Sequence, residues 1–339
     1  MPAPLPAGRP IRWGILGAGG IADTVAGDIA LSDDNVVTAV AARDAHRAAA
    51  FAAKHGFEHG YGDYRALVAD DDVDVVYIAT THPSHHDLAL MAVDAGKAVL
   101  IEKPLCLNAA EARDVFAAAE RAGVFAMEAM WMRTNPLIRT ALQLIADGAI
   151  GELRGLRAEF AIGVPFDPRS RLYDIDNGGG GLLDLGVYPA TFAHLFLGHP
   201  DEVMTAGTLA AGGADDTVTM QWLYDGVPKA QLWVSVSTSA PNEAAIFGTE
   251  GWIKVLSPAL RPSGLVVRGA DGRERTIDDP IAGQGAGYLP EIEEVARCLR
   301  AGESQSPLIP HADTVAILEI LDQARAVLGV TYPSERKAA

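Results

Sequence analysis

The sequence is short of cysteine and of positive charge, and it has no long apolar run; each shortage removes a class of protein. Cys106 and Cys298 are its only cysteines. They lie far apart without metal-type spacing, which points away from a disulfide framework or structural zinc and towards reduced thiols. Lysine and arginine total 27 against 44 aspartates and glutamates, a formal charge of −17. Nucleic acids and anionic membranes need a basic surface, so neither is an expected partner. No apolar run reaches the length of a membrane span and no basic-then-apolar leader opens the sequence, so a cytoplasmic location is expected. Residues 1–10, MPAPLPAGRP, read as a disordered arm.

What is present is alternation. The 339 residues are enough for two domains of ordinary size. From Ile11 to Met130 short β-type runs (RWGIL, VVTAVAA, VDVVYIAT, AVLIE, VFAME) alternate with helical stretches at 20–31, 44–55, 83–96 and 108–122. Asn108 with Glu111 three residues on opens the last of these as a variant capping box. This is the βαβα signature of a Rossmann-type, doubly wound parallel sheet. Beyond Met130 the pattern becomes α+β: a helix near 135–148, an extended run at 152–163, a helix near 182–197, then β-type runs to 268 that suggest a large, mostly antiparallel sheet. Helices near 287–301 and 311–328 close the chain. The expected division is 1–130 and 131–339.

The first strand runs into GAGGIA, residues 17–22. Gly17, Gly19 and Ala22 fit a G-x-G-x-x-G/A fingerprint, with Gly20 and Ile21 opening the helix. The pattern supplies a tight turn, close backbone approach to a pyrophosphate, and a small residue where helix meets strand. The second strand ends in AARDAHR, 41–47. An acidic residue there holds a ribose 2′-hydroxyl, whereas arginine accommodates a 2′-phosphate. Arg43 and Arg47 favour NADP, with NAD left open: Asp44 facing the ribose would reverse the preference, and Arg47 could equally be a solvated helix charge.

Two further stretches carry chemistry. In VLIEKPL, 99–105, a buried-type strand ends in Glu102, Lys103 and Pro104. Ligands of open α/β sheets lie beyond the carboxyl ends of the strands, so Lys103 is a candidate for chemistry rather than only a surface-loop lysine. In NGGGGLLDLGVYP, 177–189, a flexible turn or a close backbone approach to a ligand precedes a helix on which Asp184 and Tyr188 stand four apart. Pro189 fits a first helical turn or marks a kink. A tyrosine near a lysine ammonium is a workable acid–base group, the alternative being a buried core phenol.

GAGGIA, P-x-x-H at Pro83 to His86, EKP at Glu102 to Pro104, EAMW at Glu128 to Trp131 and GGGGLLDLGVY at Gly178 to Tyr188 occur in this order. Together they resemble the glucose-fructose oxidoreductase and inositol dehydrogenase family, Gfo/Idh/MocA, over nearly the whole chain. AARD, EAMW, RLYD at 171–174 and tyrosine at 188 resemble the branch holding dimeric trans-dihydrodiol dehydrogenases and NADP-dependent D-xylose dehydrogenases. The resemblance implies a Rossmann cofactor domain and a C-terminal domain whose open sheet binds substrate and assembles a homodimer or homotetramer. It also implies a sugar or cyclic diol substrate. Lys103, Tyr188 and Asp184 become the catalytic set. Thr80, His82, His86, Glu102, Lys103 and Trp131 join the cofactor site, and Trp131 and Arg171, with Asp184 and Tyr188, line the substrate pocket.

Other readings weigh less. The three histidines of HPSHH, 82–86, have no acidic or cysteine partner at metal-ligand spacing, so no metal is expected. No G-x-S-x-G elbow supports a hydrolase. A non-catalytic NADP-binding redox sensor is disfavoured by Lys103, Asp184 and Tyr188 together. An NAD-dependent inositol or polyol dehydrogenase is disfavoured by the lack of histidine at 188.

Overall fold

In the computed structural model, which describes residues 2–336, the first sheet is built from β1 (Ile11–Leu16), β2 (Asn35–Ala41), β3 (His59–Tyr61), β4 (Val75–Ile78), β5 (Ala98–Glu102) and β6 (Ala126–Ala129). Its order is β3-β2-β1-β4-β5-β6 with every neighbouring pair parallel. This is the doubly wound arrangement whose ligand crevice lies where strand order reverses, between β1 and β4. Strands β4, β5 and β6 are buried along their whole length, which is why they read as mainly apolar runs, interrupted by the carboxylates Glu102 and Glu128.

Between them lie α1 (Gly20–Ile29), α2 (Ala45–His55), α3 (Tyr64–Val68), α4 (His85–Asp94) and α5 (Ala109–Ala122). Asp44 caps α2 by accepting from the His46 and Arg47 N–H groups, and Gly56 ends that helix at φ 76°. The expected capping box at Asn108 is supplemented from elsewhere: the Ala109 N–H goes to Asp322 and the Asn108 amide to Glu335.

The second sheet holds β7 (Leu153–Ala161), β8 (Glu202–Leu209), β9 (Asp215–Tyr224), β10 (Val227–Ser235), β11 (Ala244–Gly248), β12 (Trp252–Val255), β13 (Gly264–Arg268) and β14 (Glu274–Asp278). Its order is β14-β13-β12-β11-β7-β10-β9-β8. Only the β7–β10 pair is parallel. The helices here are α6 (Pro136–Ala146), capped by Asn135, and α7 (Val187–Leu197). The chain ends in α8 (Leu289–Ala301), α9 (His311–Leu328) and α10 (Pro333–Arg336).

Two compact units result, and the chain does not pass through them once. Among the described residues, the first comprises 2–106, 110–134 and 283–314; the second comprises 107–109, 135–282 and 315–336. A single cut at 130/131 is therefore crossed by α8, whose Ile292, Val295 and Leu299 are buried. Asp28 on α1 accepts the N–H groups of Ala286 and Tyr288, each at 2.7 Å. The Ala126 N–H donates to the Ser304 carbonyl at 3.1 Å.

The amino-terminal arm is ordered, contrary to expectation. Leu5 N–H donates to the Leu299 carbonyl at 3.0 Å, and Arg300 donates to the Pro6 and Arg9 carbonyls. Composition suggested disorder, but these backbone groups find partners on α8. Among the described residues no helix is long and apolar enough to cross a membrane.

Candidate active site

At the end of β1, Gly17 has φ 108°, and a Cβ there would stand 2.5 Å from the Ala79 carbonyl oxygen. Only glycine fits, because β1 and β4 converge on this turn. Gly19 and Gly20 face open space, with nothing within 4 Å of a Cβ. Gly19 is the N-cap of α1 and supplies no side-chain cap, so the first N–H groups of the helix, at Gly20 and Ile21, remain available to an anion. A tight turn, open backbone and an uncapped helix start suit a dinucleotide pyrophosphate.

At the end of β2 the Asp44 carboxylate is engaged in capping α2, at 2.8 Å from the His46 N–H, while Arg43 is exposed. Arg47 is exposed, and its guanidinium folds back onto the Ala18 carbonyl at 2.8 Å, inside the glycine turn. Both arginines follow the carboxyl end of β2. After β4, a methyl of Thr80 lines the Gly17 turn, and the Thr80 hydroxyl accepts from Ser84 at 2.8 Å. His82 is buried.

Lys103 follows β5 on a turn held from three sides. Its N–H donates to Glu102 at 3.2 Å, the Pro104 carbonyl lies 3.0 Å from His85 Nδ1, and the Leu105 N–H donates to Glu128 at 3.0 Å. Glu102 also accepts from the buried Tyr77 hydroxyl. Burial, with the His82 ring beside it, pushes His85 down to about 4, so it is neutral at physiological pH and carries one N–H, well placed for Pro104. Burial raises Glu128, opposed by hydrogen bonds from Thr314 and Leu105 and by the charges of Arg133 and Lys103.

Sequence reading picked His86, yet His86 turns to Asp114 on α5 at 2.9 Å and to Asp87. His85, one residue earlier, faces the Lys103 turn. Among the described residues no group of three or more metal-ligating side chains forms.

Beyond β6, Trp131 is buried and stacks on Tyr288 with centroids 4.4 Å apart. Tyr288 was not anticipated, since its segment returns from more than 150 positions downstream. Close by in the same unit, Glu291 is fully buried, and neither carboxyl oxygen has a hydrogen-bond partner among the described residues. Burial, then the charges of Glu102, Glu128 and Asp28, hold it well above the ordinary carboxylate range.

The second unit carries the other candidates. Asp184 is buried in a π-helical turn, Leu182–Gly186, and its carboxylate pairs with the exposed Arg171 at 3.2 Å. Tyr188 begins the α-helix that follows and packs edge-on against Phe160, with centroids 5.5 Å apart. Asp184 and Tyr188 thus lie on one continuous helical run. Pro189 has no N–H to return to the preceding turn, and the wider π spacing falls just where that bond is missing.

The glycines before this turn approach protein rather than ligand. A Cβ on Gly179 would stand 2.6 Å from the Arg171 carbonyl oxygen, and one on Gly180 2.3 Å from the Asp215 carboxylate. The strand-start residue Asp215 escaped sequence reading, because nothing local marks a carboxylate that reaches back 33 positions to the Leu182 N–H.

The sequence matches an oxidoreductase family with an NAD-binding Rossmann fold, GFO/IDH/MocA, over residues 11–130, and the GFO/IDH/MocA C-terminal domain over 138–254. It is 39% identical over 338 residues to trans-1,2-dihydrobenzene-1,2-diol dehydrogenase of Mus musculus, covering 96% of this chain and 99% of that protein. The Homo sapiens enzyme of the same name is 36% identical over 335 residues, at 96% and 99% coverage. A 3-ketoreductase from Actinomadura kijaniata, solved with NADP and TDP-benzene, is 28% identical with a TM-score of 0.81, over 94% of this chain and 98% of that one. That ketoreductase has also been solved with a tyrosine replaced by phenylalanine and with a lysine replaced by alanine. With both halves matched in order and relatives aligned end to end, this chain belongs to the GFO/IDH/MocA family of oxidoreductases.

Proposed function

We propose that the protein is an NADP-dependent dehydrogenase acting on a ring hydroxyl of a trans-diol or sugar, with Lys103 and Tyr188 as its proton-transfer pair. The observation that carries this reading is the end-to-end relation to dihydrodiol dehydrogenases. The first unit's candidates follow the carboxyl ends of β1, β2, β4, β5 and β6, the side on which sheets of this order bind ligands, and this supports the reading. Arg43 and Arg47 favour a 2′-phosphate, and the NADP held by the related ketoreductase agrees with that choice. Gly17, Gly19, Gly20 and Ile21 would hold the pyrophosphate, with Thr80, His82, Glu102 and Trp131 towards the nicotinamide end.

When bound, the nicotinamide supplies the redox step by accepting hydride from the carbinol carbon. The protein contributes position and proton transfer. The Lys103 ammonium donates a hydrogen bond to the reacting oxygen, and Tyr188, as phenolate, takes the hydroxyl proton as the C–H bond breaks and C=O forms. Asp184, fixed by Arg171, orients the substrate. In the reverse direction Tyr188 returns the proton to the carbonyl oxygen. The lysine and tyrosine chosen for replacement in the ketoreductase are consistent with such a pair. We also propose self-association through the second sheet, where Met204, Val227 and Phe247 are exposed; sedimentation showing only monomer at micromolar concentration would sink this.

The direct test is nicotinamide reduction with NADP and NAD in parallel against a trans-dihydrodiol, D-xylose, D-glucose and myo-inositol. Turnover of a diol or sugar with NADP is expected. Lys103→Met and Tyr188→Phe should each lose nearly all turnover while NADP binding stays within about tenfold, because proton transfer and cofactor affinity are separable. Wild-type turnover in either variant removes that residue from the mechanism.

A further inference from the structure

Asp215, the first residue of β9, is fully buried. One carboxyl oxygen accepts the Leu182 N–H at the start of the π-helical turn. The other has no hydrogen-bond partner among the described residues. Gly180, at φ 133°, lets the backbone pass so close that any side chain would collide with that second oxygen. Arg325 on α9 is buried and bound to Asp322 and Glu335. Tyr332 lies beneath the Arg325 guanidinium and donates to the Gly179 carbonyl at 3.4 Å. Burial raises Tyr332, and the charges of Asp215, Glu335 and Asp184 reinforce this against that of Arg325.

A carboxylate buried at a helix start, with its flank cleared by glycine, is poorly explained as packing. It lies behind the turn that carries Asp184 and leads into Tyr188. We propose that Asp215 is a positioning residue for the reaction: by holding the N–H at the start of the π-helical turn it sets where Asp184 and Tyr188 stand. The inference rests on the roles proposed above for those two residues. Charge-assisted hydrogen bonds to backbone N–H groups are roughly twice as strong as neutral ones, so an ionised Asp215 grips the turn and a protonated one holds it loosely. Burial pushes Asp215 up to about 6, against the opposing pull of the Leu182, Asp215 and Gly181 N–H groups and the Arg325 charge. The turn is therefore gripped above that pH and relaxed below it.

The signs for stability and turnover are opposite. A carboxyl raised on folding contributes stability that is lost as pH rises from its unfolded value through about 6. Asp215→Asn, which keeps an acceptor but no charge, should leave the melting temperature at pH 8 equal to or above wild type. It should also reduce kcat roughly tenfold with NADP affinity unchanged, given how steeply rate depends on placement.

The experiment is amide hydrogen exchange of the 178–190 peptides at pH 5 to 8, corrected for intrinsic exchange, with kcat and melting temperature on the same samples. Expected for wild type is protection and kcat that both fall as pH drops through about 6. In Asp215→Asn both should be low and independent of pH over that range. Unchanged protection in the variant, or kcat within threefold of wild type, overturns the proposal, as does a lowered melting temperature that accounts for the lost turnover. The exchange readout needs no substrate, so a failure of the proposed reaction would show as an inactive wild type with a turn that still responds to Asp215.

Discussion

Substituting alanine at Gly17 and at Gly19 should separate folding from cofactor binding. At Gly17 the backbone has φ 108° and the new methyl would stand 2.5 Å from the Ala79 carbonyl oxygen and 2.9 Å from its carbon. The positive φ costs an L-residue about 1–2 kcal/mol and overpacking adds about 1–3, so Gly17→Ala should lose about 2–5 kcal/mol. At roughly 2–4 °C per kcal/mol for units of this size, the apo protein should melt about 4–20 °C lower. Gly19 sits at φ −99° with nothing within 4 Å of a Cβ. Alanine there weakens only the helix cap, by about 0.5–1 kcal/mol, yet its methyl occupies the space a pyrophosphate must approach. NADP affinity should fall at least about tenfold, equivalent to roughly 1.4 kcal/mol. Calorimetric melting without ligand and titration with NADP read the two effects independently. Gly17→Ala melting within 2 °C of wild type, or Gly19→Ala binding NADP at full strength, would refute the reasoning.

Three other perturbations follow from the first unit. Arg43→Ala should weaken NADP binding far more than NAD binding, since Asp44 is committed to capping α2; equal losses in titrations with both cofactors would contradict a 2′-phosphate contact. Glu291→Gln should be tolerated within about 1 kcal/mol at neutral pH, because an amide replaces a neutral acid. Glu291 is raised on folding, so wild type should lose stability as pH climbs from the ordinary carboxylate value through the folded one while the variant does not; denaturant unfolding followed upward from acid pH measures the difference. At Asp74, burial pushes the carboxyl up, but hydrogen bonds from Arg9 and Arg12 outweigh it and hold it below the ordinary range. Its contribution is present above the unfolded value and lost as pH falls, and Asp74→Asn should cost about 1 kcal/mol at pH 7 after screening of the half-buried Arg9. Parallel acid-unfolding curves for the two proteins would expose the error.

The parallel sheet was legible because strands covered on both faces have no polar alternation to hide them. The stretches that escaped reading are polar or brief: β3 is the tripeptide HGY, α3 spans Tyr64–Val68, and β14 is the mostly exposed ERTID. Motifs identified Lys103, Asp184 and Tyr188 as candidates, but not the groups that brace them. Spacing marks three histidines without showing that His85 turns inward while its neighbour faces α5. Four glycines announce a close approach and leave open what is approached; here it is Arg171, Asp174 and Asp215. Glu291 and Tyr288 act on groups more than 150 positions upstream, a relation no local pattern encodes.

The return of residues 283–314 to the first unit has a consequence for synthesis. As the chain leaves the ribosome, all six strands of the first sheet are complete by Ala129, yet the partners of Asp28 and of the Ala126 N–H have not been made. The cofactor-binding half is begun first and finished nearly last, after the entire second sheet has emerged. It cannot be lifted out as a fragment ending near 130, and a stop codon anywhere before about 314 truncates the first unit as surely as the second.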